Sequence, residues 1–233
     1  MADAGVKKRR ENLVRSPYVD RRCGYPPYDW ERFKREERFE KAVQLATRVV
    51  LDAMYVEFDL DTRGANFEDT PERVARAYLE LFAGAMDDGQ QVKEILSKQF
   101  PAQTSEMVVV GPVQVWSMCP HHLLPVEMQV WLGYLPNKRV LGLSKLARLA
   151  ELLAKKPELQ ETTTSEIAGA LYKGLKPKGA ACLIRGRHLC MAMRGVKKEA
   201  ITTTTQLKGA FLRPEVRAEF LAAVRADIGN GGR

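Results

Sequence analysis

Near residue 107 the spacing of apolar residues changes from one in every three or four positions to one in every two, and no other feature of the chain constrains its fold as tightly. Before that point the patterns are helical. Residues 29–58 carry Phe39, Ala42, Val43, Leu45, Ala46, Val49, Val50 and Ala53 at helical spacing, which predicts a long helix packed on a neighbour. Residues 60–66 read as a loop. Asp69-Thr70-Pro71-Glu72 then offers an N-cap with proline at the first helical position, so a second helix is expected to about residue 83. A weaker third helix is expected over 92–99, ended by Pro101, which lacks a backbone donor and crowds the turn before it.

From 107 to 118 and from 127 to 135, β-branched and aromatic residues predict two strands, with Gly111-Pro112 marking a bulge or bend. Helical patterns return at 143–155 and 163–175, separated by Lys156-Pro157. Strands are expected again at 179–185, 189–196 and 200–207, and a last helix at 214–228. Strands, then two helices, then more strands make an α+β fold with the first helices as an annex. The expected organisation is a basic, disordered tail at 1–28, a helical region at 29–102 and a sheet-bearing domain at 103–233.

Composition narrows the class. The 233 residues are 45% apolar and 28% charged, as suits a chain with a buried core. Four cysteines are too few for a disulfide scaffold of this length, so a reducing compartment is expected. No apolar run approaches the roughly 18–20 residues of a membrane span, and the first residues lack the apolar segment of a secretory signal. A cytoplasmic protein with no membrane partner is expected. The net charge of +8 is uneven, because residues 1–22 hold seven basic side chains against three acidic ones. A short basic arm such as Lys7-Lys8-Arg9-Arg10 is ordinarily solvated, and the tail alone does not argue for a nucleic acid.

The chain has three histidines, and all stand close to cysteine, in Cys119-Pro120-His121-His122 and His188-Leu189-Cys190. Thiolate and imidazole together favour zinc. Cys119 and His122 are spaced to reach one ion, and Cys190 is expected to arrive from a neighbouring strand. With His188 as a fourth ligand the site would be closed and structural; without it, a position stays open for water, as in catalytic sites. His188 and Cys190 share a strand face by the period of two, so spacing leaves both arrangements open. Buried cysteines with core histidines are the plain alternative. Residues suited to an anion are Arg73, Arg194 and the Ser144, Lys145, Arg148 set at a helix start, where free N–H groups favour negative charge. Neither a Gly-rich Lys-Ser/Thr phosphate loop nor the Pro-Cys-x-x-Cys signature of zinc deaminases is present.

Several motifs in one order resemble a single family, GTP cyclohydrolase I. They are Asp69-Thr70-Pro71-Glu72-Arg73-Val74-Ala75, Cys119-Pro120-His121-His122-Leu123, Gly142-Leu143-Ser144-Lys145-Leu146-Ala147-Arg148, Gln160-Glu161, His188-Leu189-Cys190-Met191, Met193-Arg194-Gly195-Val196 and Thr202-Thr203-Thr204-Thr205. The resemblance runs from about residue 69 to the final helix. It implies a tunnelling fold, an antiparallel sheet with paired helices on one face, closed into a barrel by oligomerisation, in a homodecamer with active sites at subunit junctions.

The resemblance also implies Zn2+ on Cys119, His122 and Cys190, which leaves His121 and His188 as catalytic residues. It implies GTP as the substrate. Its guanine would be held by Glu161 beside Gln160, its triphosphate by Lys145, Arg148 and Arg194 near Ser144, with Arg73 from a neighbouring subunit. The implied reaction opens the imidazole ring of guanine at C8, with water activated by zinc and His121 protonating the opening ring. Formate leaves, and the ribose rearranges and recloses to 7,8-dihydroneopterin triphosphate with His188 as proton donor near the sugar. Two positions depart from the family pattern: Pro120 replaces a usual glutamate and Thr162 a usual arginine, neither of them a ligand. The rival readings are a tunnelling-fold enzyme on another pterin or deazapurine, and a zinc-stabilised protein that binds nucleic acid through its basic tail.

Overall fold

The structure, a computed structural model, describes residues 34–230. The expected tail at 1–28 and the start of the first predicted helix lie outside the described residues.

Helix α1 (Arg35–Phe58) opens with the Lys34 N–H donating to the Glu37 carboxylate at 3.0 Å, which satisfies one donor that a helix start leaves free. It lies against α2 (Thr70–Leu81), which starts at Thr70, so that Pro71 is the second helical residue and not the first. The partnership is incomplete. No residue of α1 is buried among the described residues, and Val49 and Val50 of the predicted apolar stripe are 39% and 57% exposed there. A helical turn, α3 (Ala83–Met86), and α4 (Gln90–Ser97) follow.

The third helix ends at Ser97, before Pro101 can stop it, and Pro101 closes a short strand instead. β1 (Gln99–Pro101) pairs antiparallel with β4 (Arg139–Leu141), a ladder too short to display any period in the sequence. The main sheet has β2 (Val108–Met118), β3 (Pro125–Leu135), β5 (Gly179–His188) and β6 (Ile201–Gly209) in the order β2-β3-β5-β6, every pair antiparallel. The expected irregularity at Gly111-Pro112 is a register shift between Val110 and Val113, where a Cβ on Gly111 would overlap the Trp131 ring.

The period of two along β3 divides the core. Val126, Met128, Val130, Leu132 and Tyr134 are buried on the face covered by α5 (Leu143–Ala154) and α6 (Gln160–Leu175), against Leu146, Leu149, Ile167 and Leu171. Each such side chain contributes about 1.5–3 kcal/mol through burial. Trp131 points to the opposite face, where α8 (Pro214–Asn230) and the 3-10 turn Ala210–Leu212 supply Phe211, Val216, Phe220 and Val224. The Trp131 indole N–H donates to Asp227 at 3.1 Å, so burial of the ring leaves no orphaned donor.

One expected strand is absent. Over 189–196 the chain leaves the sheet after His188, makes a helical turn, α7 (Leu189–Ala192), and bends back through Gly195 (φ 64°) and Lys197 (φ 49°) to enter β6 at Ile201. The last paired residues of β5 and β6 are Arg187 and Ile201, so a strand there would have no ladder to join. The alternation that suggested one comes from Met191 and Met193, which are exposed and not turned into a core. Helix α6 starts three residues earlier than expected, because Thr163 and Thr164 return their hydroxyls to the carbonyls of Leu159 and Gln160 and so tolerate helical backbone.

The registers fix two ends of the sheet. At one end Met118 faces Pro125 and Val126 faces His188; at the other Leu135 faces Gly179. Helix α5 begins near the second end, after β4, and returns to the first, where Ser117 donates to the Lys156 carbonyl at 3.1 Å and Pro157 bridges to Met118. Among the described residues no helix is long and apolar enough to cross a membrane.

Candidate functional site

Residues 119–124 turn tightly from β2 into β3, with the Leu123 N–H on the Cys119 carbonyl and the Cys119 N–H on the Leu124 carbonyl, both at 2.9 Å. The turn places Cys119, His121 and His122 at the first end of the sheet, where β5 delivers His188 and α7 presents Cys190. The sulfur of Cys119, a ring nitrogen of His122 and the sulfur of Cys190 lie within 4.8 Å of one another. Cys190 therefore arrives from a helical turn, and the shared strand face expected for it and His188 does not exist.

Two thiols and an imidazole converging over that span fit tetrahedral zinc with one position left open. Burial, reinforced by the hydrogen bond and charge of Cys119, raises the Cys190 thiol above its ordinary value, and a divalent cation is what would reverse that. Cys182 differs: it is fully buried in the core, and desolvation alone holds its thiol far up and inert.

His188 stands outside this group. Its Nε2 lies 3.0 Å from Gln160 Oε1, and burial lowers its proton affinity more than the nearby charge of Glu161 raises it. His121 sits with Nδ1 3.9 Å from Cys119 Sγ, and Arg194 reaches His122 Nε2 at 3.1 Å from the loop after α7. Glu161 is exposed in the first turn of α6, where the helix dipole favours an anion. Its neighbour Gln160 is 2% exposed, and its amide bonds within the protein to Ile184, Thr202, Thr204 and His188.

The remaining anion-binding candidates are elsewhere. Ser144, Lys145 and Arg148 lie towards the start of α5, and Ser144 is about 15 Å along the helix axis from its cluster end. Lys145 and Arg148 line a groove of about 340 Å³ with Gln91, Glu94 and Glu151, which no member of the cysteine-histidine group shares. Arg73 is in the annex and pairs with Asp69 at 2.9 Å. The chain thus brings Cys119, His121, His122, Gln160, Glu161, His188, Cys190 and Arg194 to one end of the sheet, and Ser144, Lys145 and Arg148 to another region. Gly186, missed by sequence reasoning, belongs to the first set: a Cβ there would overlap Gln160 Oε1. A glycine inside a strand was the available signal.

Residues 46–225 match the family model of GTP cyclohydrolase I. Among curated relatives, GTP cyclohydrolase 1 of Carboxydothermus hydrogenoformans is 42% identical over 188 residues, covering 79% of this chain and 94% of that protein. The Corynebacterium glutamicum protein of the same name is 47% identical over 161 residues, covering 67% and 81%. That of Thermoanaerobacter pseudethanolicus is 42% identical over 194 residues, covering 82% and 97%. A solved archaeosine synthase QueF-Like chain aligns at 14% identity with a TM-score of 0.38 over 47% of this chain and 98% of that one, too slight a likeness to argue from.

Proposed function

The chain belongs to the GTP cyclohydrolase I family, and from that premise we propose how its own residues hydrolyse GTP to formate and 7,8-dihydroneopterin triphosphate. The observation that carries the proposal is the convergence of Cys119, His122 and Cys190 within 4.8 Å, with two further histidines beside them. These three residues would hold Zn2+, which in a three-ligand site lowers the pKa of water to about 7 and so supplies a nucleophile at neutral pH.

The protein groups do the rest. Glu161 accepts two N–H bonds from the guanine edge, which orients C8 towards the cysteine-histidine group. His121, on the turn between the two β2–β3 ligands, protonates the ring nitrogen as the C8–N bond opens. His188 passes a proton near the ribose during rearrangement and reclosure. Arg194 supplies positive charge at this end for the phosphate chain.

Lys145 and Arg148, with Ser144, bind triphosphate from a different copy of the chain. Their distance from the metal-ligating group supports a site assembled between subunits. β2 and β6 are the edges of the four-stranded sheet, and closing such edges into a barrel removes their unpaired backbone groups. The assembly we propose is a homodecamer with a tunnelling fold, Arg73 reaching a neighbour's site, residues 103–233 as the catalytic domain and 29–102 as an annex. Thiolate ligands suit a reducing cytoplasm.

The test is direct. Purified protein incubated with GTP should release formate and develop pterin absorbance, lose both on chelation and regain both with Zn2+. Salt-sensitive binding to DNA or RNA with no product from GTP would overturn the proposal.

A further inference from the structure

The bonds around Gln160 have only one self-consistent direction. Its Nε2 stands 3.2 Å from the Ile184 carbonyl and 3.0 Å from the Thr202 carbonyl, and these oxygens can only accept. A flipped amide would set Oε1 against both. Thr204 Oγ1 is the third neighbour of Nε2, at 3.0 Å, and its role is settled by Thr164. Thr164 gives its single hydroxyl proton to the Gln160 carbonyl at 2.6 Å, so at the 2.6 Å contact between the two threonines Thr204 must donate. That leaves the Thr204 oxygen to accept from Gln160. Every partner of Nε2 is an acceptor, and Oε1 is left facing His188 Nε2 at 3.0 Å.

We infer that Gln160 is a positioning residue for His188: it accepts a hydrogen bond from Nε2–H in every charge state of the ring, so that only Nδ1 can exchange a proton with substrate. Gly186 and Thr204 belong to the same device. A side chain at Gly186 would occupy the place of Gln160 Oε1, and the Thr204 hydroxyl carries part of the hold on the amide. With the side chain 2% exposed and its bonds directed inward, Gln160 has no hydrogen-bonding edge to offer a purine. A fixed donor at one nitrogen preorganises the other, which removes a reorganisation step from the proton transfer. The inference rests on the role proposed for His188 in GTP hydrolysis, but its structural half can be read without activity.

The experiment uses the full chain, zinc-loaded, with 15N-labelled histidine. Solid-state NMR of sedimented protein separates Nε2–H from Nδ1–H, and three histidines make a short spectrum. The wild type should show His188 protonated at Nε2. Gln160→Leu and Gly186→Ala should each give a mixture of tautomers and lower kcat on the order of 10- to 100-fold, with KM for GTP within about threefold. Thr204→Val, which keeps the side-chain shape, should shift both readouts in the same direction by less and stands in if the other variants do not fold. A wild-type His188 carrying its proton on Nδ1 would overturn the inference. So would a raised KM with unchanged kcat in Gln160→Leu, which would make Gln160 a substrate contact. A protein that makes no formate from GTP yet shows the Nε2–H tautomer would count against the proposed reaction and leave the positioning of His188 supported.

Discussion

Arg187 and Glu199 close the neck of the loop that carries Cys190 and Arg194, with Nε and Nη2 of the guanidinium 2.8 and 2.7 Å from the two carboxylate oxygens. The chain leaves the sheet after His188 and re-enters it at Ile201, so this fork ties the last paired residue of β5 to a residue two places before β6. The hydrogen bonds from Arg187 hold the Glu199 carboxyl below its ordinary value of 4.5. A depressed acid stabilises the fold above its unfolded pKa and loses that contribution as pH falls through the folded one. Glu199→Gln should therefore lower the urea midpoint slightly at neutral pH, with the difference from wild type vanishing well below pH 4.5. In activity, a looser loop should raise KM for GTP more than it lowers kcat, and Arg187→Glu with Glu199→Arg should restore part of the loss.

Cys190→Ser removes one of the three side chains proposed to hold zinc at the sheet's end. Serine remains protonated at neutral pH and is a poor ligand for zinc. Bound zinc, measured by atomic emission on dialysed protein, should fall well below one per chain. Formate release should fall on the order of 100-fold or more. Retention of both metal and rate would remove Cys190 from the site.

If the site is assembled from two copies, inactive variants should complement one another. Lys145→Ala and His188→Ala alone should release almost no formate. Refolded together in equal amounts, they should recover up to about a quarter of wild-type activity, because random pairing rebuilds some sites from two intact halves. Mixing without any recovery would place Lys145 and His188 in the same chain's site.

The core predicts its own sensitivities. Leu149 is fully buried between α5 and the sheet, and Leu149→Ala should cost about 2–5 kcal/mol in urea unfolding. On the other face, a Cβ at Gly133 would stand 2.8 Å from the Phe220 ring, so Gly133→Ala should cost about 1–3 kcal/mol by forcing α8 away from the sheet.

The long elements were legible in the sequence, since a period of 3.6 or 2 repeated several times marks α1, β3 and α5. So was the capacity of Cys119, His122 and Cys190 for metal, since thiolate and imidazole together favour zinc. Pro71 announced its helix start, and Gly111-Pro112 announced the register shift. Less could be read where a segment was short or its pattern had another origin. β1 and β4 span three residues each, and the alternation of Met191 and Met193 reflects exposed side chains on a turn.

What the sequence determined by itself, then, is an inventory: the long, periodic helices and strands, and the side chains whose chemistry suits metal, protons or phosphate. What the tertiary structure alone decided is where these stand. Antiparallel registers bring Cys119, His188 and Gln160 to one end of the sheet from positions far apart in the chain, and the direction of α5 carries Lys145 towards the other end. Burial then turned Gln160 inward onto His188, because an amide shut away from water must bond to whatever protein groups surround it. Neither outcome is written in local spacing; both follow from strand pairing and from the cost of an unsatisfied polar group.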